Sequence, residues 1–71
     1  MKTEFLVLKS KTDGNYLQDW HSFGKLVTFK VMSAYFFDPE KDMDTISELL
    51  ESFPTYEIKR VELKVTDYTE E

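Results

Sequence analysis

The chain contains no cysteine, and this absence excludes a disulfide framework and any zinc site built from thiolates. It also suits a reducing compartment such as the cytosol. No stretch reaches the roughly 18 apolar residues that a membrane-spanning helix requires. Near the N-terminus, Glu4 and Lys9 interrupt the apolar pattern that a signal peptide needs. The sequence therefore predicts a cytoplasmic protein with no membrane segment.

Basic residues are the minority, because nine Lys and Arg face fourteen Asp and Glu, for a net charge of −5. An acidic protein is repelled by nucleic acid and by anionic lipid, which argues against both as partners. The negative charge is concentrated in the stretch 38–51, where six acidic residues accompany a single lysine. A basic protein surface is the partner that this charge favours.

The length of 71 residues supports one domain, which we expect to span 1–71 with a frayed tail at 67–71. A chain of this size buries only about 60% of the surface that its unfolded form exposes. Its six Phe, four Tyr and one Trp are more than so small a core can easily enclose. Some aromatic side chains should therefore remain exposed, or be covered by a partner or a second copy.

Alternation of apolar and polar residues divides most of the chain into strands. Strands are predicted over 5–8, 16–20, 26–32 and 56–66. The first is apolar on both faces, as in a central strand, and Asp13-Gly14 marks a tight turn after it. The second places Tyr16, Gln18 and Trp20 on one face. The stretch 33–37 either extends the third strand or turns while burying its aromatic residues.

One helix is predicted between the third and fourth strands. Asp38 and Pro39 are typical of an N-cap and a first helical position, and Asp42 or Asp44 offers a second start. Pro54 should end the helix, because the residue before a proline is disfavoured in helical conformation. The apolar residues on one helix face are Met43, Ile46, Leu49, Leu50 and Phe53.

In the last strand the apolar positions change from even numbers (Tyr56, Ile58) to odd numbers (Val61, Leu63, Val65). A regular strand repeats each face on alternate residues, so this change predicts a bulge near Lys59-Arg60. The predicted fold class is α+β, with a three- to four-stranded, mostly antiparallel sheet and one helix packed on one face. We expect the fourth strand beside the first and parallel to it, followed by the second and third.

The residue types and motifs of the chain predict no catalytic residue and no cofactor. The lone histidine, His21, has Asp19 and Ser22 close in sequence, but such near neighbours seldom adopt the geometry of a catalytic triad. Neither glycine lies in a phosphate-binding motif. The sequence therefore predicts that the protein is not an enzyme.

No metal site is predicted either. Acidic residues at 38, 40, 42 and 44 alternate like the opening of a calcium-binding loop. Met43 and Leu49, however, occupy the places where that loop needs glycine and glutamate. Acidic residues at a helix N-terminus are also favoured by the helix macrodipole, at about 0.3–1 kcal/mol each.

Two groups of residues are candidates for binding a protein. The first is the acidic surface of the helix, for which the alternative interpretation is a solvated face without a partner. The second is an aromatic group, because Trp and Tyr are favoured at binding hot spots. The alternative for this group is that its members pack in the core. The candidates are Asp38, Glu40, Asp44, Glu48 and Glu51 in the first group, and Tyr16, Trp20 and Phe23 in the second. They predict a protein-binding accessory module or, alternatively, a structural homo-oligomer such as a homodimer.

Most of the chain is similar to a group of known proteins. The similar segments are 5–9, 15–20 and 34–38, the last of which leads into the helix that ends with 48–51. In these segments the chain resembles small phage and prophage proteins of unknown function from Gram-positive bacteria. The resemblance implies the host-cell cytoplasm as the location and a role as a modulator that binds a host or phage protein. It implies no catalytic residue.

Overall fold

The computed structural model describes residues 3–22 and 24–63, and within them the protein adopts the predicted α+β fold. The elements in chain order are β1 (Glu4–Ser10), β2 (Tyr16–His21), β3 (Gly24–Thr28), a short 3-10 helix (Val31–Ser33), α1 (Met43–Ser52) and β4 (Tyr56–Glu62). The strands form one sheet in the order β3-β2-β1-β4, which confirms the predicted neighbours. The frayed tail predicted at 67–71 lies outside the described residues.

The turn between β1 and β2 forms where Asp13-Gly14 predicts it. Gly14 has a positive φ of 78°, a conformation that costs glycine little, and its N–H donates to the Ser10 carbonyl at 3.0 Å. The Asp13 carboxylate accepts the Asn15 N–H at 3.0 Å, and the buried Ser10 hydroxyl accepts the Thr12 N–H at 3.2 Å. Local side-chain acceptors therefore hold the turn.

β4 runs antiparallel to β1, from Glu4 opposite Glu62 to Ser10 opposite Tyr56, so the predicted parallel pairing is wrong. The reason lies in the stretch 35–37, which makes an additional pass across the sheet. This stretch forms an antiparallel bridge with β1, in which Phe37 lies opposite Leu6. The additional pass reverses the chain direction before α1 begins, so β4 starts beside the end of β1 rather than its beginning.

The stretch 35–37 also separates β1 from β2. The two strands pair near their turn, where Lys9 lies opposite Tyr16. Further along, Leu6 and Phe37 bond through their backbones, and the Tyr35 N–H donates to the Leu17 carbonyl at 3.0 Å. The aromatic stretch that sequence left ambiguous is thus an extended segment inside the sheet.

β2 contains an irregularity that changes which residues share a face. Leu17 lies opposite Val27, whereas Asp19 lies opposite Leu26, so Gln18 is an extra residue. Such a bulge shifts the following side chains to the other face. Leu17 and Trp20 therefore both face the core, and the predicted common face of Tyr16, Gln18 and Trp20 is wrong.

β3 ends at Thr28 rather than continuing over 26–32 as predicted. Thr28 lies opposite Tyr16, the first residue of β2, so the chain beyond it has no partner strand there. The Thr28 hydroxyl accepts the Lys30 N–H at 3.1 Å, and the 3-10 helix follows. A short polar turn thus replaces the second half of the predicted strand.

β4 is regular along its whole pairing with β1, so the bulge predicted near Lys59-Arg60 is wrong. The apolar positions change phase because different faces are covered at the two ends of the strand. Tyr56 is buried in the core on the helix side. Val61 lies opposite Phe5 on the other side, where the rings of Phe5 and Phe36 pack 5.6 Å apart.

The helix packs on one face of the sheet through Ile46 and Leu49, both buried in the core. Leu50 and Phe53 pack beside them, whereas Met43 stays 41% exposed, so most of the predicted apolar face is confirmed. The helix ends before Pro54, as predicted. The buried core comprises Leu8, Leu17, Phe37, Ile46, Leu49 and Tyr56.

The helix begins at Met43 with Asp42 as its N-cap, which is the second of the two predicted starts. The start at Asp38-Pro39 is wrong, because residues 38–42 form a closed turn. The Asp38 N–H donates to the Asp42 carboxylate at 2.7 Å, and the Asp42 N–H donates to the Asp38 carbonyl at 3.0 Å. The turn redirects the chain from the sheet into the helix.

Candidate protein-binding surfaces

The outer face of α1 carries a row of three exposed carboxylates, Asp44, Glu48 and Glu51. Their spacing of four and then three residues aligns them on one side of a helix. The last helical turn contains no basic residue that would offset them. The structure therefore brings together three of the five acidic residues predicted from sequence, and we call them the acidic row.

The remaining two acidic candidates, Asp38 and Glu40, precede the helix rather than lie on it. The Asp38 carboxylate accepts the N–H groups of Glu40 at 2.7 Å and Lys41 at 3.2 Å. Asp38 is half-buried, whereas Glu40 is exposed. The Asp38 side chain thus holds the turn, a structural role that also explains its position before the helix.

The predicted aromatic group does not form one surface. Trp20 packs into the core, with its ring 5.6 Å from that of Phe37 and 5.0 Å from that of Tyr35. Tyr16 lies on the opposite face, where the Lys9 ammonium is 5.6 Å from its ring. Phe23 lies outside the described residues. The bulge at Gln18 is the reason that the strand alternation does not keep Tyr16 and Trp20 together.

A different surface is apolar and exposed, and sequence reasoning missed it. Leu26 is 54% exposed, Val27 37%, Phe29 77% and Met32 68%. We call these four residues the apolar edge: Leu26 and Val27 lie on β3, Phe29 directly follows it, and Met32 lies in the 3-10 helix that comes next. In the sequence, the alternation of apolar with polar residues over 27–31 predicted only a strand at 26–32. One sequence feature did indicate an exposed surface of this kind: the chain has more aromatic side chains than so small a core can bury.

The two edge strands of the sheet differ in charge. Glu57, Lys59, Arg60 and Glu62 occupy four of the seven β4 positions, and Arg60 pairs with Glu4 at 2.8 Å. Charged side chains discourage an edge strand from pairing with another chain. On β3, Lys25 is the one charged residue among five. β3 is therefore the edge that is chemically open to an added strand.

Positive charge borders the apolar edge. No acidic residue occurs between Asp19 and Asp38, whereas Lys25 and Lys30 lie within that stretch. The Lys30 ammonium is 5.7 Å from the Phe29 ring. The Lys25 ammonium is 5.1 Å from the ring of Phe53, at the end of α1. This positive border contrasts with the negative charge of the chain as a whole.

Two groups have shifted pKa values, and both shifts have structural causes. The Asn15 N–H stabilises the Asp13 carboxylate and lowers the pKa of Asp13, with a smaller contribution from the positive charge of Lys25. Burial raises the pKa of Tyr56 above 10.0. These groups belong to a turn and to the core, respectively, so neither shift indicates a reacting group.

Within residues 3–22 and 24–63, no three His, Asp or Glu side chains converge in a way that could hold a metal ion. No helix in the same residues has the length and apolar character that crossing a bilayer requires. The chain matches no protein-family model, no curated protein and no solved structure.

Proposed function

We propose that the chain is a non-catalytic protein-binding module whose main contact surface is the apolar edge. The observation that supports it is the exposure of Phe29 and Met32, at 77% and 68%. Burying a side chain of this kind stabilises a complex by roughly 1.5–3 kcal/mol. Exposed apolar residues grouped along an edge strand are typical of surfaces that another protein covers.

We take the partner to be a protein, because the apolar edge offers the backbone groups of a strand together with apolar side chains. The outward backbone of an edge strand pairs with extended polypeptide, and the side chains of Leu26 and Val27 flank that backbone on its two faces. Nucleic acid would be repelled by the net charge of −5. The acidic row is a second candidate surface, suited to a basic partner.

Capture experiments with matched variants test the proposal. The chain is immobilised as wild type, as Phe29→Ser with Met32→Ser, and as Glu48→Gln with Glu51→Gln, and is incubated with a lysate of the source cell. We expect a partner that the wild type and the glutamine variant retain and the serine variant loses. Loss only with the glutamine variant would move the contact to the acidic row. Identical protein profiles for all three would contradict the proposal.

A structural homo-oligomer is the second candidate function. The exposure of Leu26 and Val27 on the edge strand favours it too, because a second copy could cover the same residues. Light scattering at micromolar concentration separates the two functions. A monomer supports the module, whereas a dimer that Phe29→Ser dissociates supports the oligomer. The resemblance to phage and prophage proteins extends the module proposal to a modulator of a host protein in the host cytoplasm.

A further inference from the structure

β3 has one paired and one unpaired side. It pairs with β2 from Gly24 opposite His21 to Thr28 opposite Tyr16, and it is the last strand on that side of the sheet. The outward side of such a strand presents alternating N–H and C=O groups to solvent. Within residues 3–22 and 24–63 no strand pairs with that side, so an extended segment of another chain can bond to these groups.

The side chains beside this backbone are apolar on both faces of the sheet. Leu26 and Val27 are adjacent in the strand, so they point to opposite faces, and both are exposed. A strand added beside β3 would place its own side chains against them, one on each face. Phe29 directly follows the strand and Met32 lies in the 3-10 helix after it, and both side chains are exposed. The segment that adds beside β3, which we call the guest, should therefore carry apolar residues.

Charge decides which further residues the guest should carry. Lys25 lies on the strand and Lys30 follows it. The Lys25 charge is partly offset, because it acts on the Asp13 carboxylate and because Asp19 lies opposite the adjacent Leu26. Lys30 therefore supplies most of the positive charge beside the end of the strand. A guest with carboxylates among its apolar residues complements these lysines, and complementary charge speeds the encounter and suppresses wrong partners. A basic guest would instead meet like charge.

The same charges argue against a second copy of the chain as the guest. If β3 of two copies paired edge to edge, Lys25 and Lys30 of both copies would lie along one short junction. Like charges opposite each other destabilise paired strands. The acidic row of a second copy is no substitute, because a helix cannot supply the backbone groups that an edge strand pairs with.

On these grounds we infer that the β3 edge accepts an extended segment of a different protein, in which acidic residues are interspersed with apolar ones. The inference rests on the proposed function and names the chemistry of its partner. The guest adds as a strand beside β3, its apolar side chains cover the apolar edge, and its carboxylates lie near Lys25 and Lys30.

Selection from a library of displayed random peptides of about ten residues, long enough to span one strand, tests this inference. The bait is the full chain, and the enriched peptides are synthesised and titrated into the isotope-labelled protein. We expect acidic, apolar peptides that perturb the backbone amides of 24–30. Lys25→Glu with Lys30→Glu should weaken their binding by about tenfold, as expected for reversing two surface charges. Lys11→Glu with Lys41→Glu reverses two exposed lysines that lie on neither candidate surface, so it is the matched control and should leave the affinity unchanged.

The other outcomes separate this inference from the proposed function. Uncharged apolar peptides that bind at 24–30 and ignore the lysine reversals would overturn the inference and leave the proposed function standing. Basic peptides whose binding depends on Glu48 would overturn both, as would the absence of any enriched peptide. A wild-type dimer dissociated by Leu26→Lys would show that a second copy occupies the edge, which also overturns the inference.

Discussion

Leu6 and Phe37 exchange two backbone hydrogen bonds, 2.9 and 2.8 Å long, across the space between β1 and β2. This pairing places the fully buried Phe37 ring in the centre of the core, against Trp20. It also gives the chain the additional pass that makes β4 antiparallel to β1. This one pair of residues therefore contributes both to the aromatic core and to the strand order in which β3 is an edge strand.

The Phe37 ring should be the largest single contribution to stability from this segment. Phe37→Ala should lower the free energy of unfolding by about 3–5 kcal/mol, because it leaves a cavity in a small core. Phe29→Ala is the matched control and should change it by less than about 0.5 kcal/mol, since Phe29 is exposed. Urea titrations followed by circular dichroism measure both. Similar losses for the two variants would contradict the assigned core.

The extra residue Gln18 should be necessary for placing the only tryptophan. Deleting Gln18 moves Trp20 to the other face of β2, so stability should fall by roughly 1.5–3 kcal/mol as the ring leaves the core. The emission of Trp20 should also shift to longer wavelength in the folded protein. Gln18→Ala keeps the bulge and should leave the emission unchanged. An unaltered emission after the deletion would show that the bulge does not position Trp20.

The turn before α1 should depend on the Asp38 carboxylate. Asp38→Ala removes the acceptor for two backbone N–H groups, and a loss of about 0.5–2 kcal/mol is typical for caps of this kind. Glu48→Ala removes a carboxylate from the exposed helix face and should cost less than about 0.5 kcal/mol. Thermal unfolding of both variants provides the comparison. Equal effects would mean that Asp38 does not hold the turn.

Stability should fall at alkaline pH through Tyr56. Burial raises the pKa of Tyr56 above 10.0, so the unfolded chain loses this proton at lower pH than the folded chain does. The unfolding free energy should therefore be unaffected by this group below about pH 10, the ordinary tyrosine pKa, and should decrease as pH rises further. Urea titrations of the wild type and of Tyr56→Phe across this range measure the difference. The variant should show a smaller decrease, and identical slopes would contradict the burial.

Sequence patterns correctly predicted the features that depend on residues close to one another in the chain. The Asp13-Gly14 turn, the apolar face of α1 and its end before Pro54 follow from local chemistry. The end of β3 at Thr28 does not, because it depends on where β2 begins. Likewise, the apolar positions of β4 change phase because of the Phe5–Phe36 contact on the far face of the sheet. From alternation alone, this change of phase predicts a bulge.

The two candidate surfaces also differ in whether the sequence alone could predict them. The acidic row was predictable, because helical spacing alone aligns Asp44, Glu48 and Glu51. The apolar edge was not, because the alternation of Val27 and Phe29 with polar residues is also the pattern of a half-buried strand. Only the strand order shows that β3 lies at the edge of the sheet, and only the structure shows that its apolar side chains stay exposed there.

The most direct test of the apolar edge is photo-crosslinking in the source cell, with a photoreactive amino acid in place of Phe29 in one variant and of Glu48 in another. Both positions are exposed, so the two variants should fold equally well. The account predicts a covalent adduct with another protein from position 29 and none from position 48. Adducts from position 48 alone, or from neither position, would contradict it.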